Sequence, residues 1–557
     1  MNTKKINMKR SFSLKSRSSF FALSVIAGIT LSLAFPPFGI PFFIIPAFMM
    51  LFAIAIRSDS GKQTAYFVYP AFVVWNLITT YWLMYATFAG GFAAILANAV
   101  LMTIPIAWIR RVLLSPMNLF LKAIFAASIW TSYEYLHFRW DLAWPWLNLG
   151  NAFGDFPKLV QFIEFTGQLG ISFVIVFVST FCFFALKDWQ VIRTIGFPFR
   201  SFPADKLENK GITKDEIQTS RAYYFGLLSI LLILSLSLTL YYQNKDFSSF
   251  PTAEIAVIQP NYDSYLPDSG FERMDIAQQN LLQLADSART NKTKLILFPE
   301  NAIQPLITLN HYFSQQFSDS AQAWNVTLVS GLNEYVTYPK NPPAVYRGIR
   351  NTIPFDIFNS SLIWKADGSI LPYRKYNLVP IVERLPFVEF LVALDVLDWV
   401  DWSSMVGFGK GTEIVNAPFE GGSSSILICY DSVFPDWSRK YVRNGANLIG
   451  IITNDGWWGD TPGHSQHFSF GRLRAIETRR SIARSANNGI SGFILPNGEV
   501  IQQSQYWTRT FLRMDVPLLS NLTFYVKYGD WIGFMSVIGW LWIVMSTSNW
   551  EKRFRKS

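Results

Sequence analysis

Cysteine is nearly absent from this 557-residue chain: there are two, Cys182 inside an apolar run and Cys429 in a polar region. Two thiols that far apart in character build neither a disulfide framework nor a cysteine-rich zinc site. Charge is also scarce, at 15% of residues against 50% hydrophobic and 17% aromatic, which excludes an ordinary soluble protein. No internal repeat and no low-complexity tract occurs. A net charge of +10 could suggest a nucleic-acid partner. The Lys and Arg, however, gather in the first 17 residues, in short connections and in Lys552, Arg553, Arg555 and Lys556. That is how membrane-topology signals are distributed, so no nucleic acid is expected.

What the chain does have is long uncharged runs. A bilayer core of roughly 30 Å is crossed by about 20 apolar residues in a helix. The run between Arg17 and Arg57, broken by Pro36-Pro37 and Gly39, predicts two spans, and that between Lys62 and Arg110, broken near Gly90-Gly91, predicts two more. Residues 114–135, 165–186, 222–244 and 531–550 make eight. Basic connections at the N-terminus, Arg57/Lys62, Arg110-Arg111 and 187–221 alternate with less basic ones, so alternate loops are cytoplasmic. Seven spans (1–245) then place residues 246–525 outside the cytoplasm, and the eighth (526–557) returns the basic tail inside. No small-x-small cleavage pattern precedes Pro36, so residues 1–35 are expected to be retained.

From Pro251 onward, short β-branched runs alternate with amphipathic stretches, the pattern of an α/β domain. Strands are predicted at 254–259, 294–298, 325–330, 360–364, 425–429 and 447–452, and helices at 272–289, after Val433 and over 467–486. Hairpin turns are predicted at Asp367-Gly368 and Asn497-Gly498. Glu300 and Cys429 each follow a strand directly, at the edge where α/β folds build sites, and Lys375 follows another short strand. A thiol needs a base, and its acyl adduct needs a cation, so these three together point to nucleophilic catalysis.

The segments Leu295–Asn301 (LILFPEN), 373–380 (YRKYNLVP) followed by Glu383, 427–432 (LICYDS), 453–460 (TNDGWWGD) and 486–498 (ANNGISGFILPNG) resemble the nitrilase superfamily. With seven spans before them and one after, they resemble the apolipoprotein N-acyltransferases, as do 467–480 (HFSFGRLRAIETRR) and, more loosely, 144–150 (WPWLNLG). The resemblance covers nearly the whole chain. It implies a polytopic α-helical membrane domain with an inserted extracytoplasmic nitrilase-like α/β domain, an α-β-β-α sandwich. It implies a Glu300, Lys375, Cys429 catalytic set with Glu383 and Asp431 in support. The chain has Ile381-Val382 where the family often has Phe-Gly, and Asp431 where it usually has Glu. The implied reaction moves a fatty acyl chain from a phospholipid, through a Cys429 thioester, to the N-terminal amine of an apolipoprotein's lipid-modified cysteine. The backbone N–H of Tyr430 could share the oxyanion with Lys375. A bacterial inner-membrane location with a periplasmic site, no cofactor, no metal and a single working copy are expected. Two rivals are a membrane-tethered amidase using the same residues, and a non-catalytic scaffold.

Three further features carry expectations. Residues 385–402 are apolar and aromatic, with Asp395, Asp398 and Asp401 on one stripe against Phe387, Phe390, Leu391, Leu394 and Trp402. This pattern suits either a lid dipping into the outer leaflet or a helix in the globular core. Trp457 is a candidate for lipid contact. His464 and His467 invite a zinc reading, but no third ligand lies close in sequence.

Overall fold

The computed structural model describes residues 14–187, 214–266, 273–307, 312–394 and 406–554. The basic residues of the first 13 positions and of 188–213, and with them Asp395, Asp398, Asp401 and Trp402, lie outside the described residues.

Eight helices occupy the segments predicted as spans: α1 (Leu14–Ser32), α2 (Ile44–Arg57), α3 (Gly61–Thr80), α4 (Phe88–Leu113), α5 (Leu119–His137), α6 (Leu169–Lys187), α7 (Lys214–Gln243) and one at Trp531–Phe554. Within α4 and α7, Phe88–Leu113 and Tyr223–Gln243 are long and apolar enough to cross a membrane by themselves; Arg17–Ser32, Pro41–Arg57, Leu169–Ala185 and Trp531–Ser546 are shorter apolar helices. One break falls elsewhere than expected. The chain turns at 81–87, and Gly90-Gly91 lie inside the first turns of α4, where Gly91 packs against the Leu83 backbone. These helices share one apolar core, which also takes in Leu473 and Ile476 of the α/β part.

In the α/β part the first sheet holds β1 (Thr252–Gln259), β2 (Thr293–Leu297), β3 (Ile303–Ile307), β4 (Thr327–Thr337), β5 (Gly348–Arg350), β6 (Ile353–Trp364) and β7 (Ile370–Arg374). The second holds β8 (Asn416–Phe419), β9 (Gly422–Ile428), β10 (Leu448–Thr453), β11 (Ser481–Ala486), β12 (Gly492–Ile494) and β13 (Val500–Gln503), and β14 (Thr510–Pro517) returns to pair with β1. The parallel runs β1-β2-β4 and β9-β10-β11 carry the almost wholly buried, apolar strands that sheets covered on both faces require. Ile255, Val257, Leu295 and Leu297 of one sheet share a core with Ile426, Ile428, Ile449 and Ile451 of the other. Behind the first sheet, α8 (Met274–Ala288) and α9 (Tyr312–Trp324) bury Leu281, Ala285 and Phe317 against Ile258, Phe298 and Trp364. Behind the second lie α10 (Pro435–Arg443) and α11 (Pro462–Thr478), with α12 the Trp531–Phe554 helix.

Both predicted hairpins form, with Gly368 and Gly498 at positive φ. The helix predicted over 467–486 is half right. It ends at Thr478, Arg479 takes a left-handed conformation, and 481–486 is β11, between β10 and β12. With Ile482 as its one large apolar residue, 481–486 offers too little apolar periodicity to reveal a strand, and burial in mid-sheet decides the matter.

Candidate active site

Three strand ends converge. β2 stops at Leu297, but the Phe298 N–H donates to the Val329 carbonyl (2.8 Å) and the Gly331 N–H to that of Pro299 (3.1 Å), so β4 carries the chain on to Glu300. Gly331 permits this approach: a Cβ there would stand 2.5 Å from the Glu300 Cα. Just past β7, the Lys375 N–H donates to the Asn359 carbonyl of β6 (2.9 Å). Cys429 follows β9 and opens a single 3-10 turn, Cys429–Val433. Its φ of 47° is a strained conformation for a residue with a Cβ, and it marks an elbow that turns the side chain out of the strand.

Lys375 and Glu300 are 1% and 5% exposed, so their charges must be matched by neighbours rather than by water. The Lys375 Nζ lies 3.2 Å from Glu300 Oε1 and 2.8 Å from Glu383 Oε1. The Asn359 amide donates to those same two oxygens, at 2.8 and 3.0 Å. The remaining carboxylate oxygens accept backbone N–H groups, Glu300 Oε2 from Asn454 (3.0 Å) and Glu383 Oε2 from Val379 (2.7 Å). Burial works to lower the Lys375 pKa, but Glu300 and Glu383 outweigh it and hold the ammonium well above its ordinary value. The Cys429 thiol is pushed well above its ordinary range, first by burial and then by the Glu300 charge, with Lys375 opposing. The thiol is thus a neutral S–H within electrostatic reach of both, and it hydrogen-bonds Thr453.

The elbow is braced from behind. Asp431 accepts hydrogen bonds from the Tyr373 hydroxyl (2.6 Å) and from the backbone and side chain of Asn377 (2.8 and 2.9 Å), tying the Cys429 turn to the Lys375 strand. Burial raises its carboxyl to about 6, against those bonds. Tyr430 stacks on Trp144 of the α5–α6 connection (6.1 Å, 25°) and donates its hydroxyl to the Ala143 carbonyl (2.8 Å). Trp146 beside it packs on Trp82, Trp458 and His467 and donates to Gln466 (2.7 Å). The helical part therefore supplies the wall next to the thiol.

Other sequence candidates stand further off. Phe387 and Phe390 are 39% and 62% exposed around a short helix, Val388–Ala393, of which Val388 alone is buried, so a core helix is not what residues 385–394 form. The Phe387 N–H donates to Asp141 (2.9 Å) and its ring faces Trp140, just past the C-terminal end of α5. Trp457 is 43% exposed, with its carbonyl accepting from Tyr265 (2.8 Å), whereas Trp458 is the packed member of that pair. Ile381, where the family often has Phe, takes φ 69°, a strained position for a β-branched residue.

His467 has the near neighbours that sequence spacing did not show. Ligand atoms of Cys429, Asp455 and His467 lie within 4.8 Å of one another, while His464 pairs with Asp460. Arg484 donates to Asp455 (2.7 Å) and lies 3.0 Å from the His467 ring, so a cation already neutralises the carboxylate a metal would need. Asn359, Thr453, Arg484 and Asn454 were not singled out from sequence. Asn454 lies in the quoted 453–460 motif; Asn359 sits on a strand with no local signal.

Family comparisons agree with this architecture. Residues 27–181 match the model described as the apolipoprotein N-acyltransferase N-terminal domain, and 254–520 match that of the carbon-nitrogen hydrolases. Among curated relatives, an apolipoprotein N-acyltransferase of Chlorobaculum tepidum is 26% identical over 92% of this chain and 93% of its own. That of Geobacter metallireducens is 24% identical over 93% of each, and that of Allorhizobium ampelinum is 31% identical over 48% of each. Of solved structures, an amidase from Nesterenkonia sp. aligns at 17% identity over 50% of this chain and 92% of its own, with a TM-score of 0.33. With a helical part that matches the N-terminal model, an α/β part that matches the hydrolase model, and relatives aligned almost end to end, the chain belongs to the apolipoprotein N-acyltransferase family.

Proposed function

We propose that this chain transfers a fatty acyl chain from a phospholipid to the N-terminal amine of a diacylglyceryl-cysteine on an apolipoprotein, with Cys429 as nucleophile. The observation that carries the reading is the buried Glu300–Lys375–Glu383 cluster acting on a strained, neutral thiol beside a wall contributed by the helical part. As Sγ attacks the ester carbonyl, its proton passes to Glu300 and the C–O bond breaks. Glu300 returns that proton to the departing lysophospholipid oxygen, leaving a thioester on Cys429. The acceptor amine then attacks; Glu300 takes its proton, the C–S bond breaks, and the proton goes to the sulfur. Lys375, kept cationic by its two carboxylates, and the Tyr430 N–H stabilise the oxyanion in both halves. Glu383 and Asn359 hold Lys375, and Asp431 holds the elbow.

Both substrates are lipid-anchored, which supports reading all eight helices as spans and the α-β-β-α layers as a domain outside the cytoplasm of a bacterial inner membrane. Leu228, Leu231 and Leu232 on α7 and Phe534, Leu541 and Met545 on α12 are each more than half exposed, a surface suited to lipid. Phe387, beside Trp140, and Phe390 are further exposed apolar side chains of the α/β part suited to lipid contact. Mass spectrometry of the Cys429 peptide after incubation with phospholipid tests the proposal. A long-chain acyl adduct, absent from Cys429→Ala, is expected; a small acyl adduct would transfer the reading to an amidase, and no adduct at all would refute it.

A further inference from the structure

A cleft of about 250 Å³, lined in part by Tyr376 and Tyr430, opens where the α5–α6 connection meets the α/β part. Four cations, Arg139, Arg384, Lys410 and Lys440, line it against three carboxylates, Asp141, Glu389 and Asp436. Arg139 is already matched by Asp530, and the pairing of the others leaves positive charge over. Arg384 takes Glu389 (2.6 Å), Asp141 accepts the Phe387 N–H, and Asp436 is shared between Arg439 (2.8 Å) and Lys440 (3.0 Å). No carboxylate among the described residues lies within ion-pair distance of Lys410.

Lys410 is placed by aromatic faces instead. Tyr376 and Trp437 stack at 4.0 Å and 15°, the Lys410 ammonium sits 5.2 Å from the Tyr376 ring, and that of Lys440 sits 5.4 Å from Trp437. Tyr376 is the neighbour of Lys375, so the stack adjoins the loop that carries the buried cation. The cleft also lies just past the C-terminal end of α5, and Trp140 and Arg139 in its lining are residue types enriched where helices meet lipid headgroups. At this volume it falls below the roughly 300 Å³ of a small ligand site, too small for acyl chains.

We infer that this cleft binds the phosphodiester of the donor lipid's headgroup, with Lys410 and Lys440 as its cations, so that the glycerol spacer sets the ester carbonyl at Cys429. The inference rests on the proposed donor reaction. A phosphate held by two ammonium groups is fixed by charge-assisted hydrogen bonds, so one lost cation weakens binding about tenfold.

The test uses the full-length Cys429→Ala protein in detergent, so that binding is read without any thioester step. Native mass spectrometry compares dioctanoyl phosphatidylglycerol with dioctanoylglycerol, which has the same esters and no phosphate. The phosphate-bearing lipid is expected to bind about tenfold tighter, with Lys410→Gln and Lys440→Gln each removing most of that preference and both variants keeping the parent's melting temperature. Equal binding of the two lipids, or a preference unchanged in both variants, overturns the inference. Displacement by inorganic phosphate at the same concentration would assign the cleft to a free anion and overturn it as well. Failure to acylate Cys429 in the separate peptide experiment would remove the donor reaction while this binding preference could still be measured.

Discussion

Replacing Lys375 with Met removes the cation that bridges Glu300 and Glu383. At 3.2 and 2.8 Å, each attraction is about 5–6 kcal/mol at an effective dielectric of about 20. Most of that offsets the cost of burying three charges, so the expected loss is nearer the about 3–5 kcal/mol found when one partner of a buried pair is deleted. The two carboxylates then share the Asn359 amide with no cation between them, and their cheapest response is to take up a proton. A carboxyl pKa raised above its unfolded value means that the native state binds the extra proton. The variant's stability is then fully present below about pH 4 and is lost as the pH rises through the raised folded value. Thermal unfolding in detergent between about pH 5 and pH 8 should therefore show a melting temperature that falls with pH more steeply in Lys375→Met than in the parent. Adding Glu383→Gln, which removes one carboxylate charge, should restore part of the loss at the higher pH. Parallel pH curves for parent and variant, or a double variant no more stable than the single one, would refute the account of the cluster.

Glu300→Gln should abolish transfer yet speed iodoacetamide labelling of Cys429 at a given alkaline pH, because the Glu300 charge is, after burial, the largest of the causes that raise the thiol. Gly331→Ala should cost most of the activity without touching a reacting group, since its Cβ meets the Glu300 backbone at 2.5 Å; kcat falling with little change in the overall circular dichroism checks this. Ile381→Gly, at a left-handed position where the side chain is 58% exposed, should leave stability unchanged or raise it by about 1 kcal/mol in thermal unfolding. Trp146→Ala should cost about 3–5 kcal/mol, as for other buried tryptophans, and should expose the junction of the helical and α/β parts to limited proteolysis.

Much of this was legible in the chain because the signals were local. Uncharged runs located eight helices, and Glu300, Lys375 and Cys429 were visible as polar residues at the ends of short apolar strands. What escaped depends on contacts between distant segments. Asn359 gains its place only when β6 lies between the two glutamates, and His467 gains Cys429 and Asp455 only through the fold. β11 is polar enough to read as helix and becomes a strand because two neighbours offer it hydrogen bonds. The Trp144–Tyr430 contact joins a loop between two apolar helices to a strand end almost three hundred residues later, which no spacing rule anticipates.

The protonated state of the resting Cys429 has a consequence for durability. Peroxide and disulfides react with thiolates far faster than with thiols. A sulfur kept neutral by burial and by the charge of Glu300 is therefore shielded from sulfenic acid formation until a carbonyl arrives to be attacked. In the proposed reaction the carboxylate that takes the thiol proton is thus also the one that protects the resting sulfur from oxidants.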